Sequence, residues 1–206
     1  MSLFITFEGG EGSGKSSALR LIAERLEKEG IPYILTREPG GTPIAESIRN
    51  VILDRNNVAM DSRTEALLYA ASRRQHLVEK VWPALKEGKI VLCDRYLDSS
   101  LAYQGGARGL GIDKILEVNS FATEGTFPDL TLFFDIEPEL GLARIAANAN
   151  REVNRLDLEK MDFHRGVRKT FQELAARFKD RYVTIDASKP LEEVVDDAYA
   201  AIKSRL

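Results

Sequence analysis

The chain has 206 residues, of which 44% are hydrophobic and 30% are charged, and its formal net charge is −3. This length and composition predict one globular domain over residues 1–206 with a sizeable core. The slightly acidic balance excludes the broad positive field of a nucleic-acid or anionic-membrane surface, so phosphate chemistry would have to use local arginines.

Other features of the composition indicate a cytoplasmic protein without a membrane partner. No apolar run approaches the roughly 20 residues that a membrane helix needs. Residues 1–7 lack the basic start of a signal peptide. The single cysteine, Cys93, cannot form an intramolecular disulfide, which is typical of a reducing cytoplasm, and its apolar neighbours predict a buried strand position.

Short apolar segments alternate with amphipathic segments along the chain. Strands are predicted at residues 3–7, 33–36, 89–93, 130–136 and 182–185. Helices are predicted at residues 15–29, 43 to about 53, 61–87, from 138 onward, 157–179 and from about 190. Pro83 is expected to kink or split the helix over 61–87. The alternation predicts an α/β fold: a three-layer α/β/α sandwich with a five-stranded parallel sheet, whose strand ends form one ligand-binding edge.

A phosphate-binding motif follows the first predicted strand. Residues 9–16 match G-x-x-x-x-G-K-[ST] between a strand and a helix, which is the context that makes this motif credible. Its glycines let backbone N–H groups converge on phosphate oxygens, and the start of the helix adds partial positive charge. Lys15 would reach the β- and γ-phosphates, and the Ser16 hydroxyl would bind Mg²⁺. The motif predicts that the following residues bind a nucleoside triphosphate: Gly9, Gly10, Glu11, Gly12, Ser13, Gly14, Lys15, Ser16 and Ser17.

Two further pairs of side chains have both a chemical and a structural interpretation. Asp94 and Arg95 end the third predicted strand, where an acid can hold the Mg²⁺ shell and a guanidinium can bind phosphate; a buried Asp–Arg pair is the alternative. Tyr69 and Arg73 share a helix face and could stack on a base and bond its edge. On spacing alone, a half-buried tyrosine and a solvated arginine are favoured for the second pair.

The chain resembles bacterial thymidylate kinases, which are P-loop nucleoside monophosphate kinases. The resemblance rests on residues 7–16, 36–42, 94–105 and 128–132, which occur in that family's order and spacing. The Asp-Arg-Tyr-Leu-Asp-Ser-Ser-Leu-Ala-Tyr-Gln-Gly block at 94–105 is the most specific part, since other nucleotide kinases lack it. The resemblance implies transfer of the γ-phosphoryl group of ATP to dTMP in dTTP biosynthesis, with Mg²⁺ as cofactor, and it implies a homodimer.

The resemblance also implies which residues bind the base and sugar of dTMP. Tyr69 would stack on thymine, at a position that is usually Phe in the family, and Arg73 would bond a thymine carbonyl. Ser100 and Gln104 would read the rest of the base edge. Tyr103 would pack under the deoxyribose and disfavour a 2′-hydroxyl.

The remaining implied roles concern phosphates and the metal. Glu11 would accept a hydrogen bond from the 3′-hydroxyl of dTMP, which would explain a carboxylate in a phosphate-binding loop. Lys15 would be catalytic, and Ser16 and Asp94 would organise Mg²⁺. The acceptor phosphate would be held by three arginines, of which the last would also be catalytic: Arg37, Arg49 and Arg95.

The variable positions of the loop, residues 10–13, carry no basic side chain, so the family's alternative applies, in which arginines of a mobile lid stabilise the transition state. A helical lid is expected at about residues 144–156. Arg151, and after it Arg155, are the expected catalytic lid arginines, while Arg144 is expected at the adenine end of ATP. A solvated basic linker is the alternative interpretation.

Two other functions remain open from the residues. The first is a P-loop kinase for another monophosphate, such as dUMP, UMP or AMP, because one aromatic ring and one arginine do not by themselves select thymine. The second is a regulatory P-loop NTPase or nucleotide-dependent interaction module, although the guanine-specific Asn-Lys-x-Asp box of a GTPase is absent from the sequence. His76 and His164 are expected to be structural, and Trp82 is expected to be a core or dimer contact.

Overall fold

The structure is a computed structural model that describes residues 2–147 and 155–206. Within these residues a parallel sheet has the strand order β2-β3-β1-β4-β5. Its strands are β1 (Phe4–Glu8), β2 (Tyr33–Arg37), β3 (Ile90–Asp94), β4 (Leu130–Asp135) and β5 (Tyr182–Asp186). Each lies within one residue of its expected position, because short apolar runs that stop at polar or glycine residues define strand ends well.

Nine α-helices are found among the described residues. They are α1 (Lys15–Lys28), α2 (Pro43–Leu53), α3 (Ser62–His76), α4 (Trp82–Lys86), α5 (Leu97–Ser100), α6 (Ile112–Thr123), α7 (Pro138–Ala146), α8 (Met161–Arg177) and α9 (Leu191–Lys203). In the described chain, no helix combines the length and the apolar character that crossing a membrane requires.

The sheet lies between two hydrophobic cores, as the expected three-layer sandwich requires. Ile5 and Phe7 of β1 pack towards α1 and α9, whereas Phe4 points to the opposite face and packs with residues of α8 such as Phe171. Side chains that alternate between two buried faces explain why the central strands are apolar throughout. Cys93 of β3 is fully buried in the second core, as predicted.

The helix expected over residues 61–87 is split. The Asp61 carboxylate caps α3 by accepting from the N–H groups of Arg63 and Thr64. A π-helical turn, Leu77–Val81, then separates α3 from α4, and Pro83 lies in the first turn of α4. Proline has no N–H for the α-helical ladder, so the break predicted at this position is confirmed.

Three other segments differ from the expectation. Residues 157–179 were expected to be one helix, but Arg155–Leu158 forms a 3-10 turn and α8 begins at Met161. The segment after β3, for which no helix was predicted, forms α5 and a π-helical turn, Leu101–Ala107. The sequence pattern also missed α6, which packs against α3.

Candidate active site

The P-loop, defined here as residues 9–16, connects β1 to α1 at the carboxyl edge of the sheet. Lys15 folds back over this loop, where its Nζ donates to the carbonyls of Gly9 (3.0 Å) and Gly10 (2.8 Å) and to Ser13 Oγ (3.1 Å). Burial, followed by the positive charge of Arg95, lowers the pKa of Lys15 to about 8. The lysine is therefore a pre-positioned cation whose charge responds to mildly alkaline pH.

The loop also packs tightly against α7. A Cβ atom at Gly12, whose φ is +70°, would lie 2.0 Å from the carbonyl oxygen of Gly141. A Cβ atom at Gly141 would in turn lie 2.3 Å from the carbonyl oxygen of Glu11. Both distances are far below any real contact, so the helix and the loop can meet only through glycines.

Ser16 and Asp94 lie side by side where α1 begins and β3 ends. Ser16 Oγ donates to Asp94 Oδ2 at 2.6 Å. A hydroxyl and a carboxylate oxygen are the hard ligands that Mg²⁺ takes from protein, with water and phosphate oxygens completing the shell. The two expected metal ligands therefore fit the ion.

Arg95 lies between the P-loop and Tyr103. Its backbone has φ +68°, and its guanidinium donates to Gly9 O (3.1 Å) and to Glu11 Oε1 (2.6 Å). The Tyr103 hydroxyl donates to the same Glu11 oxygen at 3.0 Å, and the Tyr103 ring lies 5.1 Å below the guanidinium. Glu11 thus accepts hydrogen bonds from two side chains. Asp94 and Arg95 hydrogen-bond different partners, so the alternative of a buried Asp–Arg pair is wrong.

Glu8, to which the sequence assigned no separate role, is linked to Arg95 through the hydroxyl group of Ser99. Its fully buried carboxylate accepts from the Tyr96 N–H (2.7 Å) and from Ser99 Oγ (2.5 Å), and Ser99 Oγ accepts from Arg95 at 3.3 Å. Burial, and then the charge of Asp98, raise the pKa of Glu8 to about 7. A lone carboxylate at the end of an apolar strand was the signal available in the sequence.

Arg73 of α3 is fully buried, so the solvated side chain favoured from its spacing alone is wrong. Its Nε donates to Glu38 Oε2 at 2.8 Å and its Nη2 donates to Ser100 Oγ at 3.1 Å. A third bond goes from Nη1 to Asn119 Oδ1 of α6. These partners come from three distant segments, and only the fold brings them to the arginine. Glu38 and Asn119 were missed in the sequence for this reason.

Glu38 also binds His76, which is structural as expected. His76 Nδ1 donates to Glu38 Oε1 at 2.9 Å, and its Nε2 lies 2.6 Å from Thr36 Oγ1. The carboxylate therefore joins α3 to the loop after β2, which contains the cis peptide bond Glu38–Pro39.

Arg37 and Arg49 approach the same loop from β2 and α2. Each donates to the Pro39 carbonyl, at 3.0 and 2.9 Å respectively, and Arg37 also pairs with Glu46 at 2.9 Å. Both guanidinium groups line the cleft that also contains Arg95. The three arginines expected at the acceptor phosphate are therefore brought together.

One cleft of about 800 Å³ joins these groups. Its lining includes Arg144, Ala187 and Pro190, the P-loop and Arg95, and also Tyr69 and Arg73, whose part of the cleft is called here the aromatic end. The other residues expected to read the base, Ser100 and Gln104, line the same cleft, and Ser100 accepts a hydrogen bond from Arg73.

The expected lid is described only at its two ends. Arg144 lines the cleft and donates to the carbonyls of Ala187 (2.8 Å) and Ser188 (3.3 Å). Arg151 lies outside the described residues. Arg155 is buried, where it pairs with Glu65 and its Nε donates to the Ile52 carbonyl at 3.0 Å. A catalytic role for Arg155 stays a prediction, and it would require this ion pair to open.

The sheet order, the P-loop after β1 and the acid at the end of β3 define the fold of a P-loop nucleotide kinase. The family model "Thymidylate kinase" matches residues 7–198. The chain is 61% identical over 204 residues to thymidylate kinase of Bacillus velezensis, covering 99% of this chain and 96% of that one. It is 59% identical over 201 residues to thymidylate kinase of Anoxybacillus flavithermus, covering 98% and 96%.

A crystal structure of thymidylate kinase from Ehrlichia chaffeensis superimposes with a TM-score of 0.79 at 33% identity, over 98% of both chains. The chain belongs to the thymidylate kinase family of ATP-dependent nucleoside monophosphate kinases. The family predicted from the sequence motifs is confirmed. The regulatory NTPase alternative is not supported.

Proposed function

We propose that this cleft binds MgATP at the P-loop and dTMP at the Tyr69 end, and that it transfers the γ-phosphoryl group of ATP to give ADP and dTDP. The observation that carries the proposal is that one cleft is lined by the P-loop, Arg95 and Tyr69. Arg95 bonds to Gly9 of that loop and lies over the ring of Tyr103, which also lines the cleft. Phosphoryl transfer needs such an in-line arrangement of donor and acceptor in a site that positions charge.

The aromatic end has the chemistry to hold a pyrimidine. Tyr69 is buried, and burial, followed by the charge of Glu65, raises its pKa to about 12, so the ring is neutral and suited to stacking. Arg73 is held by three partners and lines the cleft, where its remaining N–H groups would donate to a base carbonyl. Tyr103 donates to Glu11 at 3.0 Å, and this pair would contact the sugar, with the carboxylate accepting from a 3′-hydroxyl.

The mechanism requires little covalent chemistry from the protein. The acceptor phosphate is already anionic, so no general base is needed. Arg95 would contact both phosphates, and Lys15 would neutralise charge on the transferring group. Ser16 and Asp94 would hold Mg²⁺, which when bound would supply positive charge against the negative charge of the phosphates. A lid arginine, Arg151 or Arg155, would supply further positive charge at the transition state.

The proposal is tested by the acceptor preference. ADP production with MgATP is measured against dTMP, dUMP, UMP, dCMP, AMP and GMP. A kcat/KM for dTMP at least about tenfold above that for every other acceptor is expected, which corresponds to roughly 1.4 kcal/mol. Preference for another monophosphate would reject the base-reading roles of Tyr69 and Arg73 and leave the phosphate chemistry intact.

Arg95→Ala separates catalysis from ATP binding. The loss of one pre-organised donor to the transition state is expected to lower kcat about 10²- to 10³-fold, with a much smaller change in the KM for ATP. Arg165→Ala, which removes an exposed arginine paired with Glu139 on the surface, is the matched control and should retain normal turnover. Normal turnover of the Arg95 variant would remove this arginine from the catalytic site.

We also propose a homodimer in the cytoplasm. Large apolar side chains are exposed on three neighbouring helices, α2, α3 and α6: Ile44, Val51, Leu67 and Phe121. Apolar patches of this kind mark interaction surfaces, and Phe121 is 92% exposed. Light scattering at micromolar concentration should give the dimer mass, and Phe121→Lys should shift it to the monomer. A monomer in the unsubstituted protein would contradict the proposal.

A further inference from the structure

Glu65 is a buried carboxylate beneath the aromatic end of the cleft, and it lies one turn before Tyr69 on α3. Its Oε1 accepts from Gln104 Nε2 at 2.8 Å and from Arg108 Nε at 3.3 Å. Its Oε2 accepts from Arg108 Nη2 at 3.4 Å and also binds Arg155 Nη2. The side chain is 1% exposed, so these contacts are shielded from water.

This carboxylate is ionised at neutral pH. Burial by itself would raise the pKa of Glu65, but the hydrogen bonds from Arg155 and Gln104 and the charge of Arg108 bring it below its ordinary value. An ionised carboxylate can only accept hydrogen bonds. Whatever faces it must therefore be a donor.

Glu65 therefore restricts the orientation of Gln104, whose side-chain amide has a donor NH₂ group and an acceptor oxygen. Its NH₂ group must face Glu65, so its carbonyl oxygen must point the other way. Gln104 is 1% exposed and lines the cleft together with Arg73, so neither side chain is free to reorient in water. Among the residues that line the cleft, Gln104 therefore has its acceptor, Oε1, on the side of the amide away from Glu65.

We propose that Glu65 determines the base specificity of the site by locking the Gln104 amide with its oxygen towards the cleft. The inference rests on the proposed function. The selected base carries an N–H donor at ring position 3 and a carbonyl at position 4, as thymine and uracil do. Cytosine presents an acceptor and an amine at these positions, so both polar pairs would be mismatched and left unpaired in a buried site.

Glu65→Gln tests this inference, because a neutral amide at position 65 accepts or donates and no longer dictates the orientation of Gln104. The kcat/KM for dTMP is expected to fall about tenfold. The KM for ATP should be unchanged. The inhibition constant of dCMP, divided by the KM for dTMP, should be lower in the variant than in the unsubstituted enzyme. Arg108→Gln is the matched control, because it removes a cation from Glu65 and leaves the contact with Gln104 intact.

A double-mutant cycle with Gln104→Met shows whether Glu65 acts by orienting the Gln104 amide or by stabilising the surrounding structure. If Glu65 acts through the amide, Glu65→Gln should have little further effect on dTMP or dCMP in the Gln104→Met background. An undiminished effect there, or equal losses from Glu65→Gln and Arg108→Gln, would overturn the inference. If Glu65→Gln does not fold, the charge-compensated double variant Glu65→Gln with Arg108→Gln replaces it in the same cycle.

The result also separates this inference from the function on which it rests. An unsubstituted enzyme that prefers another monophosphate would overturn the proposed function and the role of Glu65 with it. An unsubstituted enzyme that prefers dTMP, combined with a Glu65→Gln variant of unchanged selectivity, would overturn the role of Glu65 alone.

Discussion

Replacing Glu38 by alanine should destabilise the protein far more than an ordinary acidic substitution. The Glu38 carboxylate is 2% exposed and binds two buried groups, Arg73 Nε at 2.8 Å and His76 Nδ1 at 2.9 Å. After its removal, Arg73 keeps hydrogen bonds to Asn119 and Ser100 but has lost its buried counter-charge. The guanidinium would then be a desolvated charge without compensation.

The expected size of this effect follows from the burial of the pair. Breaking a buried ion pair by removing one partner costs about 3–5 kcal/mol, whereas an exposed pair contributes about 0–1 kcal/mol. For a domain of this length each kcal/mol lowers Tm by about 2–4 °C, so Glu38→Ala should lower Tm by about 6–20 °C. The KM for dTMP should also rise, because Arg73 would no longer be held in place.

The assay is thermal unfolding followed by circular dichroism, together with steady-state kinetics at a temperature where both proteins are folded. Glu124→Ala is the matched control, since Glu124 pairs with Arg74 on the surface and is 65% exposed. Its Tm should change by no more than about 2–4 °C. A Glu38→Ala variant that unfolds at the same temperature as this control would refute the argument from buried charge.

Two further predictions concern the P-loop. Because the pKa of Lys15 is lowered to about 8, the lysine is charged below this pH and loses its proton above it. The dissociation constant for MgATP should therefore rise by up to about tenfold per pH unit from pH 8 towards pH 9.5. Calorimetry in this range should detect proton uptake when MgATP binds. A constant affinity over this range would contradict the lowered pKa. The Cβ atom of Gly141→Ala would clash with the Glu11 carbonyl, so this variant should displace the P-loop, raise the KM for ATP and lower the stability by about 1–3 kcal/mol. Gly166→Ala is the control, because its Cβ would have its nearest contact at 3.7 Å. Its KM for ATP and its stability should equal those of the unsubstituted enzyme.

The sequence by itself determined the features that depend on near neighbours in the chain. The P-loop is a contiguous motif, and its position between an apolar strand and an amphipathic helix was sufficient to place Lys15 and Ser16. The strands and the break at Pro83 follow equally from local periodicity and from the missing N–H of proline. Such signals are readable because the residues that interact lie within a few positions of one another.

Only the tertiary structure decided which side chains are buried together around Arg73 and Gln104. Spacing favoured a solvated Arg73, but Glu38 and Asn119, 35 residues before it and 46 after it, enclose it. Likewise Glu65, 39 residues before Gln104, orients that amide, and nothing in its local sequence indicates this. The physical reason is that burial and charge compensation are properties of the packed fold, where long-range partners determine whether a polar side chain is solvated, paired or aimed at a ligand.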